Sequence, residues 1–168
     1  EYYQDLINQG FEDHRIFSNY GLILKNLGKL KEAELSYRKA IELNSDFAIA
    51  HSNLGTIFKD LGKSQEAELS YRKAIEINPD FAEAHLNLGN ILRDIGKLKE
   101  AETYTRKAIE IKPDFAEAHS NLGNILSDLG KLQDAALSYR KAIELNPNYA
   151  KAHCNLGNIL SDLGKSQD

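Results

Sequence analysis

The chain repeats itself every 34 residues, and one asparagine recurs with the period: Asn19, Asn53, Asn87, Asn121 and Asn155. Self-similarity at a fixed period of this length is the sequence mark of a stacked repeat architecture. Each unit of such a stack is too small to bury a core alone and is stable only against its neighbours. A partner therefore meets a periodic surface in place of a single catalytic pocket.

Aligned on the period, complete copies run over 14–47, 48–81, 82–115 and 116–149, ending at Phe47, Phe81, Phe115 and Tyr149. Residues 150–168 read as the first helix of a truncated fifth copy. Residues 1–13 read as the end of a preceding second helix plus a linker, because Tyr3 stands one period before Tyr37. Both ends fall inside a repeat and the chain has no methionine, so it reads as a piece of something longer.

Each copy carries two helical patterns. In the second copy Ala50, Leu54, Ile57 and Leu61 recur at helical spacing, with Gly55 and Phe58 beside them. Gly62 follows where a left-handed cap ends a helix, and Gly28, Gly96, Gly130 and Gly164 are expected to do the same. A second helix follows, with Ala67, Tyr71, Ala74 and Ile75 on its apolar face and Pro79 marking the exit. Asp80 with Glu83, and Asp114 with Glu117, have the spacing of a capping box for the next first helix. Connections this short permit only antiparallel neighbours. Small residues at Gly55, Ala67 and Ala74 let the helix axes approach closely.

On these residues (Leu54, Gly55, Phe58, Ala67, Tyr71, Ala74 and Pro79, with their equivalents) the chain resembles the tetratricopeptide repeat over essentially its whole length. The resemblance implies an all-α, right-handed superhelical solenoid of antiparallel helix pairs whose first helices line the concave face. It also implies a scaffold that binds protein or peptide and has no chemistry of its own. Two departures stand out. The large aromatic usual early in the first helix is replaced by His51, His85, His119 and His153, and only Phe17 is aromatic. The third copy has Tyr104-Thr105 where the others have Ser-Tyr. Looser packing is expected around Thr105, and restoring tyrosine there is expected to raise the melting temperature.

Residues i, i+3 and i+7 of the first helix share a face. They are Asn53, Thr56 and Asp60; Asn87, Asn90 and Asp94; Asn121, Asn124 and Asp128; Asn155, Asn158 and Asp162; and, in the first copy, Asn19, Leu22 and Asn26. Apolar residues flank this stripe on both sides, which makes it the face expected to meet solvent. Asparagine is a mediocre helix former, about 0.6 kcal/mol worse than alanine. Its side chain offers both a donor and an acceptor, the complement of a peptide bond. Equivalent helices stack about 10 Å apart and an extended chain advances about 3.3 Å per residue, so one asparagine per repeat could meet every third residue of an extended peptide. The stripe is similar to the asparagine ladder in the repeat arm of O-linked N-acetylglucosamine transferases, where it implies capture of the substrate backbone. The alternative is that the asparagines bridge helices.

Other constellations point away from chemistry. The histidines recur about 10 Å apart, too far to share a metal whose ligands sit about 2 Å away; a packed role is expected. Asp60, Asp94, Asp128 and Asp162 would repel a carboxylate, and Lys25, Lys59 and Arg93 do not rebuild a carboxylate clamp. Cys154, the single cysteine, has no catalytic partners arranged around it and permits no internal disulfide, which favours a cytoplasmic setting. Glu34–Arg38, Glu68–Arg72 and Glu102–Arg106 have the i,i+4 spacing of a solvated helix face. The net charge of -4 argues against nucleic acid, and no apolar run is long enough for a membrane. No enzyme and no cofactor are expected. The expected partner is an extended polypeptide, basic or neutral, held on Asn19, Asn53, Asn87, Asn90, Asn121, Asn124, Asn155 and Asn158. Two rival roles are the substrate-selecting arm of a larger enzyme, such as a glycosyltransferase, and head-to-tail self-association through uncapped ends.

Overall fold

In the computed structural model, which describes residues 2–165, those residues form helices joined by short connections, without a strand. The helices are α1 (Tyr2–Asn8), α2 (His14–Asn26), α3 (Leu30–Leu43), α4 (Ala48–Asp60), α5 (Ser64–Ile77), α6 (Ala82–Asp94), α7 (Leu98–Ile111), α8 (Ala116–Asp128), α9 (Leu132–Leu145) and α10 (Ala150–Lys165). They fall into two compact units, residues 1–84 and 85–168.

In the first unit α2 pairs with α3 and α4 with α5, and α4 also packs on α2 and α3. Each first helix ends in the same way. The Gly28 N–H donates to Lys25 O at 2.9 Å and Lys29 N–H to Leu24 O at 2.9 Å, with Gly28 at φ 74°. These two bonds form a Schellman cap, which needs a residue at positive φ and so a glycine. Gly62 repeats it at φ 74°. The turn is tight enough for Lys29 and Lys63 to open the second helix directly. The fully buried Tyr71 ring then lies on Gly55, where any Cβ would come within 2.8 Å of it. Ala50, Ile57, Ala67 and Ala74, all fully buried, complete the interior of that pair.

In the second unit α8 pairs with α9, α7 packs on α8, and α10 packs on α8 and α9. Leu122, Leu126, Ala135, Ala136, Tyr139 and Ile159 form one core, and Leu86, Ala108 and Ala118 a second. Gly96 and Gly130 cap their helices at φ 79° and 73°.

Four expectations need correction. Gly164 caps nothing: α10 runs through it to Lys165. The capping box at Asp114 and Glu117 does not form, because Phe115 occupies the cap position of α8 and no side chain closes it. Thr105 is not loosely packed. It is fully buried, and a methyl group added to Gly89 would collide with its Oγ1. An oxygen one bond from Cβ reaches the glycine as closely as a tyrosine ring atom does elsewhere, so the backbones here approach more nearly. The glutamate–arginine pairs, finally, are not a merely solvated face. The Glu34 and Glu102 side chains are only 17% and 16% exposed. Besides Arg38 and Arg106 they hold Lys63 and Lys131 from the next repeat, at 3.8 and 2.9 Å. The two cations keep the Glu102 carboxyl below the usual carboxylate range.

Candidate ligand-binding face

The asparagines of the second unit interlock. Asn121 Nδ2 on α8 donates to Asn90 Oδ1 on α6 at 2.9 Å, and Asn155 Nδ2 on α10 makes the same bond to Asn124 Oδ1 on α8 at 2.8 Å. Each bond spans 31 residues, one period less the three residues that separate neighbours on a helix face. Asn124 Oδ1 also accepts from the Tyr139 hydroxyl at 2.9 Å, and Asn124 Nδ2 reaches Asn121 Oδ1 at 3.5 Å. The tyrosine that fills the slot between two helices thus pins, through its hydroxyl, a side chain of the polar stripe.

A cationic clamp runs beside this network. Arg93 Nε donates to Asp128 Oδ2 at 2.6 Å, and that bond holds the Arg93 pKa above its ordinary value. The pair is more than a third exposed, so solvent screening limits it to at most about 1 kcal/mol. Arg93, Asn124, Asp128, Asn155, Asn158 and Asp162 line an open polar groove of about 220 Å³.

The first unit builds the same face differently. Thr56 Oγ1 accepts from the Tyr71 hydroxyl at 3.1 Å and donates to Ser52 O at 3.3 Å. Asn19 Nδ2 donates to the Tyr3 hydroxyl at 3.3 Å. In the first copy the residue three positions after the ladder asparagine is Leu22, which offers no acceptor. The hydroxyl of the fully buried Tyr37 has no hydrogen-bond partner there.

The candidate residues therefore differ in access. Asn19 and Asn158 are exposed; Asn53, Asn87, Asn90, Asn124 and Asn155 are half-buried; Asn121 is only 8% exposed. The stripe is less open to solvent than its spacing suggests, because its members bond to one another. Sequence reasoning assigned Tyr71 and Tyr139 to packing alone and overlooked their hydroxyls. The signal was available: each tyrosine stands 15 residues after the polar residue it holds.

The histidines also have a specific task. The Nε2–H groups of His51, His119 and His153 donate to the carbonyl oxygens of Ser45, Pro113 and Pro147 at 3.0, 2.9 and 2.9 Å, six residues upstream. Each imidazole ties the first turn of its helix to the preceding connection. Among the described residues no group of three metal-ligating side chains forms, and no helix is long and apolar enough to cross a membrane.

The architecture is that of a stacked helix-turn-helix repeat protein, and the sequence comparisons agree. Residues 21–62, 55–92 and 123–164 match the TPR repeat model, and residues 82–115 and 104–136 match two further models described as tetratricopeptide repeats. The chain belongs to the tetratricopeptide repeat family. No curated protein sequence matches it. Among solved structures it is similar to YrrB, described as a TPR protein with an unusual peptide-binding site. That match has 26% identity and a TM-score of 0.79, and covers 98% of this chain and 84% of the other. It is also similar to the MamA protein, at 23% identity and a TM-score of 0.79, covering 90% and 82% of the two chains. A third match is pilF of Pseudomonas aeruginosa, at 23% identity and a TM-score of 0.85, covering 90% and 69%. The last two show the fold alone. Repeats of this family serve as protein-interaction scaffolds.

Proposed function

We propose that the first-helix face captures an extended polypeptide along its asparagines. The observation that carries the reading is the polar groove lined by Asn124, Asn155, Asn158, Asp128 and Asp162, in which Asn124 and Asn155 are held in fixed positions by bonds to neighbouring helices. Side chains already fixed lose little rotamer freedom on meeting a ligand, which lowers the entropic cost of association. The two aspartates favour a neutral or basic segment. The peptide-binding site described for YrrB is consistent with this use of the scaffold.

The test is capture of a random extended-peptide library by the wild-type chain, by Asn158→Ala and by Asn121→Ala, with melting curves alongside. Asn158 is exposed and its side chain makes no hydrogen bond among the described residues, so its variant should lose binding and melt normally. Asn121 is bonded across helices, so its variant should lose both. Undiminished binding by Asn158→Ala and Asn121→Ala would overturn the reading.

A further inference from the structure

Within the interlocked network the side-chain oxygens of Asn90, Asn121 and Asn124 each accept a bond, while some of the amide hydrogens are left over. Asn90 Oδ1 accepts from Asn121, Asn121 Oδ1 from Asn124, and Asn124 Oδ1 from both Tyr139 and Asn155. A carbonyl oxygen with one donor is already satisfied in the usual sense, and Asn124 Oδ1, with two, has no lone pair left. Each Nδ2 carries two hydrogens. Asn90 Nδ2 donates to nothing among the described residues, while Asn121 and Asn124 each donate only one. In the second copy Thr56 Oγ1 is already both donor and acceptor. At Asn90 and Asn124 the network therefore presents free N–H groups, beside the acceptor carboxylates of Asp128 and Asp162, and the natural complement of those N–H groups is a row of carbonyl oxygens.

We infer that the site takes a polyproline-II segment, held by its backbone carbonyls; this rests on the capture reading above. Three physical points lead there. A segment read only through its C=O groups needs no N–H, so proline is accepted at every position. A polyproline-II helix has three residues per turn and a rise of about 3.1 Å, so equivalent carbonyls recur about every 9 Å. Neighbouring helices pack at about 8–10 Å, so one carbonyl can face each repeat without distortion of the ligand. Such a segment is also uncharged and tolerates the carboxylates of Asp128 and Asp162.

The experiment titrates a fluorescent oligoproline decamer, which has no internal amide hydrogen, into the wild-type chain, Asn90→Asp and Asn124→Asp. Both variants keep the oxygen that accepts the neighbouring amide; Asn90→Asp removes only hydrogens offered to the ligand, whereas Asn124→Asp also gives up the bond to Asn121 Oδ1. The decamer should bind the wild-type chain, and each variant should bind about tenfold more weakly, the loss of roughly one hydrogen bond. Melting curves guard against a folding defect, and Asn90→Asp, at a nitrogen that holds nothing in place, is the safer of the two. If the extended library binds but the decamer does not, the carbonyl-only inference is overturned and capture survives. If neither binds, capture fails and this inference with it. Equal binding by wild type and both variants would also overturn it.

Discussion

The first and fourth copies solve the same packing problem with opposite polar outcomes. In both, a tyrosine of the second helix lies on a glycine of the first: Tyr37 on Gly21 and Tyr139 on Gly123. In the fourth copy the hydroxyl reaches Asn124, which also holds Asn155. In the first copy Leu22 stands in the place of Asn124, and the Tyr37 hydroxyl is buried without a partner. The apolar half of the contact therefore does not require the polar half. The aromatic–glycine slot holds the helix pair together, and the asparagine that meets the hydroxyl extends the order outward to the polar stripe.

The third copy gives the sharpest test of that separation, because Thr105 stands in the slot that a tyrosine fills elsewhere. Thr105→Tyr must drive apart two helices already closed on Gly89, so it is expected to destabilise by about 2–3 kcal/mol, as overpacked cores do. This reverses the expectation from sequence; a raised melting temperature would show that the slot reopens freely. Gly123→Ala comes next. The new methyl group would sit 2.6 Å from the Tyr139 ring, whereas at Gly21 the same change meets the Tyr37 ring at 3.0 Å. A loss of about 2 kcal/mol is expected at Gly123 and a smaller one at Gly21. At Gly157, with nothing within 4 Å, alanine should stabilise by about 0.5–1 kcal/mol through helix propensity. Chemical denaturation of the four variants measures all of these.

The hydroxyls themselves come third. Tyr139→Phe should cost about 1 kcal/mol, because it strips Asn124 of a donor, while Tyr37→Phe should be neutral or stabilising because nothing is lost. Equal effects would erase the contrast between the copies. The smallest effect is in pH. Burial pushes the Tyr37 and Tyr71 hydroxyls up to about 12 from the ordinary value near 10. A pKa raised on folding contributes stability that is fully present below about pH 10 and is lost as pH rises through 12. Melting temperature should fall across that window, and less steeply in Tyr37→Phe.

Much of this was legible in the sequence. The period placed the helices, the glycines at 28, 62, 96 and 130 announced their caps, and the small residues Gly55, Ala67 and Ala74 announced the close approach. What was not legible lies between repeats. A helical-face argument compares residues three, four or seven apart, so it gathered Asn121, Asn124 and Asp128 into one stripe. It did not join Asn155 to Asn124, Asp128 to Arg93 or Lys131 to Glu102, because those pairs depend on how one helix pair is set against the next. Gly164 failed for a related reason. A glycine permits a left-handed residue but does not impose one, and α10 continues through it.

The most direct test of the account is the side-chain amide spectrum of the asparagines, assigned by nuclear magnetic resonance, without and with the oligoproline decamer. The account predicts slowly exchanging, dispersed Nδ2 hydrogens for Asn121 and Asn155 in the free protein, with ligand-induced shifts concentrated at Asn90, Asn124 and Asn158. Asparagine amides that all exchange at the rate of free side chains, and that stay unmoved when ligand is added, would contradict it.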